Sequence, residues 1–206
     1  SSPQMGDGGG ETVTPAVLAT TGPAAIVDWV FVELRSAANP AQVVATRSAL
    51  IRRDGQVVKS DGVSPIEFTV PVGDYHVSIR HRNHLGAMTA MPIRLNRTIT
   101  SVDFTQATTP TWGTEAQRAI GALRLLWTGD VLRDGTIRYL GQNNDRDPIL
   151  VRVGGSIPTQ TATGYDATDT SLDGITRYLG QDNDRDPILL NIGGSIPTAI
   201  RQEQLP

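Results

Sequence analysis

The chain of 206 residues contains no cysteine. Disulfide stapling, thiol catalysis and cysteine–zinc sites are therefore excluded, and any core must hold by packing. Lysine is almost absent as well, with Lys59 alone beside seventeen arginines (18 − 1). No sign of charge dominates, since 18 basic and 21 acidic residues leave a net −3. That balance gives no footprint for nucleic acid or an anionic membrane. No apolar run approaches the roughly 20 residues of a membrane span. A leader peptide is not seen either, as expected of a mature secreted chain. Histidine occurs only as His76, His81 and His84. On one extended strand His81 and His84 point to opposite faces, so a shared metal requires a bulge. No serine has a His/Asp arrangement, and no glycine-rich phosphate loop follows a strand. The expectation is a protein that is not an enzyme.

What the chain does have is a duplication. Asp134–Thr159 (DGTIRYLGQNNDRDPILVRVGGSIPT) returns as Asp173–Thr198 (DGITRYLGQDNDRDPILLNIGGSIPT), at an offset of 39 (173 − 134). Such periodicity marks one structural unit set beside its twin. Each copy carries an acidic D-x-x-x-D-G turn, a short R-Y-L-G segment and N-D-R-D-P-I-L. In a calcium loop, side-chain oxygens at positions 1, 3 and 5 converge on the ion, a Gly turns the chain at position 6, and position 7 gives a carbonyl. The second copy supplies Asp169, Ser171, Asp173, Gly174 and the carbonyl of Ile175. The first supplies Asp130, Asp134, Gly135 and the carbonyl of Thr136, but Leu132 stands where an oxygen belongs. Gly141 and Gly180 occupy position 12, so the missing carboxylates are sought in Asp145 and Asp147, or Asp184 and Asp186. Asn144 and Asn183 are candidate caps for a following helix, with Pro148 and Pro187 in its first turn. Ca2+ is the implied ion, with the second site the better furnished. The alternative is two metal-free turns leading into capped helices.

At these residues the chain resembles the dockerin-like calcium-type repeats near the C-termini of large secreted and surface proteins of Bacteroidota. Those repeats read D-V-N-x-D-G, an aromatic, N-D-R-D-P-I-L and I-G-G. Phe68-Thr-Val-Pro-Val-Gly73-Asp-Tyr75 resembles the F-x-x-P-x-G-x-Y corner of transthyretin-like and collagen-adhesin-B-type sandwiches. The run Tyr75–Thr89 resembles a segment that precedes the same repeats in the same surface proteins. The resemblance implies adhesion or surface architecture. Some such sandwiches carry a lysine–asparagine isopeptide, for which only Lys59 is on hand. Asn96-Arg97-Thr98 is a formal glycosylation sequon, read in a bacterial chain as a chance match.

The expected fold class is mainly β: an antiparallel β-sandwich followed by two 39-residue dockerin-like loop–helix repeats. Residues 1–24 form a leader and candidate donor strand, 25–106 the sandwich, and 107–129 a bridge. Repeat 1 spans 130–160 and repeat 2 spans 161–206. Expected strands are Ile26–Arg35, Val43–Arg53, Val57–Ser60, Ile66–Val70, Asp74–His84, Ala87–Leu95 and Ile99–Phe104, with a hairpin at Asp54-Gly55. His76, Ser78, Arg80, Arg82 and His84 line one face of their strand. Thr114-Glu-Ala-Gln117 is a capping-box pattern that predicts a short helix through Ile120. The Gly-Gly pairs after Val153 and Ile192 predict helix C-caps.

Two features point to self-assembly. Glu11–Thr21 reads as an edge strand that a neighbouring subunit could accept, through Thr12, Val13, Thr14, Val17 and Leu18, with Pro15 forbidding a central place. The strand Ile26–Arg35 is apolar on both faces, so Trp29 and Phe31 need cover from the C-terminal repeats or from a second copy. The reading is a secreted, calcium-stabilised structural protein that assembles head to tail with copies of itself. Rival readings are an accessory module of a larger adhesin or carbohydrate-active enzyme, or a module that binds surface glycans through Trp112, Trp127 or Tyr165.

Overall fold

The structure, a computed structural model, describes residues 11–206. The leader expected over Ser1–Gly10 lies outside them. In chain order the elements are helix α1 (Pro15–Leu18), strands β1 (Ile26–Ser36), β2 (Val43–Arg52), β3 (Val57–Val58), β4 (Gly73–His81), β5 (His84–Met88), β6 (Ile93–Leu95), β7 (Arg118–Ile120), β8 (Leu123–Leu125) and β9 (Thr136–Arg138), helix α2 (Arg146–Arg152), strands β10 (Thr161–Thr163) and β11 (Ile175–Arg177), helix α3 (Arg185–Asn191) and strand β12 (Ile200–Gln202). The chain is mainly β and its sheets are antiparallel.

Six strands form the main sheet in the order β3-β2-β1-β4-β5, with β6 beside the first residues of β4. Val30, Val32 and Leu34 of β1 face one way, and Ala49, Tyr75 and Val77 join them in a core. Ile66, Phe68, Val70, Val102 and Phe104 pack onto that core. These residues were expected in strands, yet 66–70 and 99–104 run without strand pairing. Pro65 and Pro71 bracket the first segment and remove ladder donors. In the second, Asp103 Oδ1 takes up the Thr105 N–H at 2.8 Å and bends the chain. The second layer is thus built from side chains rather than from a second sheet. At the Phe68–Tyr75 corner the Tyr75 hydroxyl donates to the Pro71 carbonyl at 2.8 Å.

Two expectations are corrected. Residues Thr12, Val13, Thr14, Val17 and Leu18 do not form an edge strand, because Pro15 starts a helical turn. Proline's fixed φ suits the first helical position, and Thr14 stays extended as its N-cap (φ −80°, ψ 153°). Val17 packs so close to Gly62 that a Cβ there would meet it at 2.9 Å. The helix expected over Thr114–Ile120 is also missing. Arg118-Ala-Ile and Leu123-Arg-Leu are instead two short strands joined through Gly121, whose φ of +59° a hairpin turn needs.

The offset of 39 makes β10 the equivalent of β12. The first unit therefore runs on past residue 160, where it was expected to end, to include β10, and the two units exchange strands. β10, which follows the first repeat's helix, pairs with β11 of the second, and β12, which follows the second helix, pairs with β9 of the first. The exchange keeps the sequence offset, since 200 − 161 and 175 − 136 both equal 39. Val131, Ile137, Ile149, Ile188 and Ile192 form a second core, joined by Leu85 from the main sheet. The Gly-Gly caps form as expected: Gly155 N–H reaches the Leu150 carbonyl at 2.8 Å, and Gly194 N–H reaches Leu189 at 2.9 Å.

The second face of the main sheet is covered within the same chain. His76 and Ser78 are 2 % and 0 % exposed, so the face they share with Phe31 is buried. Phe31 is buried there and Trp29 half-buried. Glu203 accepts the Gly86 N–H at 2.7 Å and pairs with Arg80 at 3.0 Å. Leu205 sits over Gly86, where a Cβ would meet it at 2.8 Å. Arg35 Nη1 donates to the Pro206 carbonyl at 3.1 Å.

A stability prediction follows from the first core. Leu34→Ala should cost about 2–5 kcal/mol in denaturant unfolding, as buried Leu→Ala changes do. Ile99→Ala, at a position 81 % exposed, should change stability by no more than about 0.5 kcal/mol.

Candidate functional site

The two acidic loops fold alike. Arg133 and Leu172 take left-handed φ values of 60° and 62°, and Gly135 and Gly174 follow with 76° and 83°. That reversal lets one carboxylate collect several backbone donors. Asp130 accepts the Asp134 and Gly135 N–H groups, each at 3.1 Å. Asp169 does the same for Asp173 and Gly174 at 3.1 and 3.0 Å. Asp145, 0 % exposed, reaches in from the helix start to accept the Leu132 N–H at 3.0 Å and the Arg138 N–H at 2.8 Å. Asp184 repeats this with Ser171 at 3.0 Å and Arg177 at 2.7 Å. Leu132 and Ser171 both serve through their backbone N–H, and the Ser171 hydroxyl adds a bond to Asp169 Oδ1 at 3.4 Å that Leu132 cannot make.

The other expected ligands lie elsewhere. Asp147 and Asp186 are turned out of the loops into the first turns of the helices. Asn144 Oδ1 accepts the Asp147 N–H at 2.9 Å, and Asn144 Nδ2 donates back to Asp147 at 2.8 Å. Asn183 and Asp186 match this at 3.1 and 2.8 Å. Asp134 and Asp173 enter the turns but are held by arginines, Arg138 at 2.8 Å and Arg177 at 2.5 Å. Arg177 Nη1 also lies 3.5 Å from the Ile175 carbonyl, so one guanidinium spans two positions expected to face an ion. Thr136 and Ile175 open β9 and β11. Among the described residues no three His, Asp or Glu side chains are grouped so that they could hold a metal ion.

What each loop offers is a buried pair of carboxylates. Burial, then the charge of Asp145, pushes the Asp130 carboxyl up to about 7. Burial likewise raises Asp145 to about 6, against the N–H groups of Leu132 and Arg138. Asp184 is raised by burial. Asp173 goes the other way, its slight burial outweighed by Arg177. An all-oxygen donor set of this kind suits a hard cation such as Ca2+.

Between the loops sits the tip of the β4–β5 hairpin, which sequence reasoning missed. The strand expected to run on to His84 ends at His81, Arg82-Asn83 form the turn, and His81 and His84 become cross-strand partners. Their Nδ1 atoms lie 2.8 Å apart, and His81 Nε2 lies 3.0 Å from Asp28 Oδ2. The Asn83 carbonyl accepts the Gly129 and Asp130 N–H groups at 2.9 and 3.1 Å. Its side chain donates to the carbonyls of Ala167 and Asp169 at 3.0 and 2.7 Å. Arg82 pairs with Asp28 at 3.1 Å and approaches Asp169 at 3.7 Å, lies over the Tyr165 ring at 4.4 Å, and donates to the Asp166 carbonyl. The Tyr165 hydroxyl donates to Asp28 at 2.7 Å. Burial raises the Asp28 carboxyl, but His81, Tyr165 and Arg82 more than offset this and hold it at about 2. The signal in the sequence was the polar run Arg80–His84, which interrupts the strand pattern between Ile79 and Leu85.

The remaining candidates are engaged by the chain itself. Lys59 pairs with exposed Glu67 at 2.7 Å. Trp127 carries Arg201 over its ring at 3.6 Å, and Trp112 meets the edge of His76 at 5.7 Å. Among the described residues no helix is long and apolar enough to cross a membrane. Compared with known proteins, the chain matches no family model, no curated sequence and no solved structure.

The raised carboxyls predict a pH dependence without added cation. The folded chain binds protons at Asp130 and Asp145 more tightly than the unfolded chain, whose carboxyls titrate near ~4. Their contribution is therefore full below about pH 4 and is lost as pH rises to about 7. His84, buried and pushed well below 6.5, acts oppositely as pH falls through that value. The difference between the wild type and Asp130→Asn isolates the loop. Its melting temperature, relative to the variant, should fall from pH 5 to pH 8; a constant difference would contradict the assignment.

Proposed function

We propose that this chain is a non-enzymatic structural module of a secreted or cell-surface protein, in which two Ca2+-dependent loops fasten a repeat pair to a β-sheet scaffold. The observation that carries the reading is the buried carboxylate pair in each loop, Asp130 with Asp145 and Asp169 with Asp184. Two buried carboxylates favour a proton or a cation over a shared negative charge. Ca2+ would be held by these pairs, joined by Asp134 or Asp173 on release from its arginine and by the Thr136 or Ile175 carbonyl. The resemblance to dockerin-like repeats and to transthyretin-like sandwiches supports the same reading. Self-assembly belongs to the proposal as a property of the whole chain. A donated strand from residues 11–21 would first require α1 to unwind and Val17 to leave Gly62. The burial of Phe31, with residues 203–206 laid against Arg35, Arg80 and Gly86, favours the second reading, an accessory module that stays monomeric.

Scanning calorimetry with Ca2+ and with chelator tests the loops. Ca2+ should raise the melting temperature, because a ligand that binds only the folded state stabilises it by mass action. Asp145→Asn and Asp184→Asn should each remove part of the rise, and the double variant nearly all of it. A melting temperature indifferent to Ca2+ would refute the cation role. Sedimentation of the full chain with Ca2+ separates the two assembly readings: large particles support the fibre, a single 22 kDa species the module.

A further inference from the structure

We propose that Asn96 is an acceptor site for an N-linked glycan on the folded chain. As a sequence Asn96-Arg97-Thr98 is three letters, but the structure gives it a fitted conformation. Asn96 Oδ1 accepts both the Thr98 N–H at 2.7 Å and the Thr98 hydroxyl at 2.6 Å. That pair of bonds holds the amide oxygen inward and turns Nδ2 out. Among the described residues nothing is hydrogen-bonded to Nδ2. Asn96, Arg97 and Thr98 are all exposed, and the next residue, Ile99, is 81 % exposed. The tripeptide directly follows β6, a three-residue edge strand paired only with Gly73–Tyr75 of β4. An enzyme can therefore reach it without unpairing the sheet. A sugar there stands beside the exposed Ile99 side chain and blocks approach to the edge of β6, where a naked strand invites association.

The chemistry is a glycosyl transfer. Asn96 Nδ2 attacks C1 of the first sugar of an oligosaccharide linked to a lipid pyrophosphate. The C1–N bond forms, the C1–O bond to pyrophosphate breaks, lipid pyrophosphate leaves, and an amide proton passes to a base of the transferase. The Thr98 hydroxyl positions the amide through its bond to Oδ1. A built-in comparison lies seven residues on (103 − 96). Asp103 accepts the Thr105 N–H and hydroxyl at 2.8 and 2.6 Å in the same turn, but its carboxylate has no nitrogen to modify.

The test incubates the folded full chain, and separately a synthetic peptide spanning Leu95–Thr105, with an oligosaccharyltransferase and lipid-linked oligosaccharide. The expected result is a mass gain of one oligosaccharide on the chain, mapped to Asn96 by peptide mass spectrometry. Asn96→Gln and Thr98→Ala should abolish it, and Thr98→Ser should retain it. Asp103→Asn should add a second oligosaccharide at that position. An unmodified chain overturns the proposal whether or not the peptide reacts. Modification that survives Thr98→Ala overturns it as well, because the hydroxyl would then play no part.

Discussion

The contact on which the molecule depends is the insertion of one hairpin turn, Arg82-Asn83, between two copies of the same unit. Asn83 bonds both loop entrances, Gly129–Asp130 with its carbonyl and Ala167–Asp169 with its amide. Residues 130 and 169 are equivalent positions of the duplication (169 − 130 = 39). A single asparagine can serve both because its donor and acceptor lie on different bonds. Arg82 then ties Asp28 of the sheet to Asp169 of the second loop. Removing one partner from a buried ion pair leaves the other uncompensated, at a cost of about 3–5 kcal/mol. The scaffold and the repeats are thus joined by polar groups that each need the other.

The strand exchange explains why the unit is duplicated. A loop followed by a helix of 7 residues presents an apolar side that it cannot cover alone. Each copy lends its trailing strand to the other, and Ile149 and Ile188 meet in a shared core. The last strand does more, since residues 203–206 continue onto the main sheet and close its second face. Hydrophobic burial supplies most of the attraction there, while Glu203, bound to Arg80 and Gly86, fixes the register.

Much of this was legible. The β-branched runs Ile26–Arg35 and Val43–Arg53 became β1 and β2, Asp54-Gly55 turned as its glycine required, and Asn144 and Asn183 capped helices. The 39-residue offset was kept in loops, helices and exchanged strands alike. The misses share one cause: prolines, polar turns and helix starts were read as part of the strand or loop around them. Ile66–Val70 looks like a strand, but its prolines leave it a packing layer. Pro15 was read as confining a strand to the sheet edge, when its dihedral suits a helix start. His81 and His84 were placed on opposite faces because a two-residue polar turn was read as strand. Asp147 and Asp145 have the same side chain two residues apart, and only the helix start decides that one meets Asn144 in the first helical turn and the other enters the loop.

The difference between the two loops likewise comes from outside them. From the sequence, Leu132 against Ser171 marks the first loop as the poorer. In the structure both residues act through backbone N–H groups, and Ser171 adds only a long hydroxyl bond to Asp169 at 3.4 Å. What separates the loops is the guanidinium of Arg82, which reaches Asp169 but has no described ion pair with Asp130. The first loop keeps two buried carboxylates pushed up to about 7 and about 6. The second has part of its charge offset by a cation from the main sheet. A duplicated sequence laid against a scaffold that is not itself duplicated cannot give two equal sites. Much of the asymmetry enters through Arg82, a side chain that lies outside the duplication.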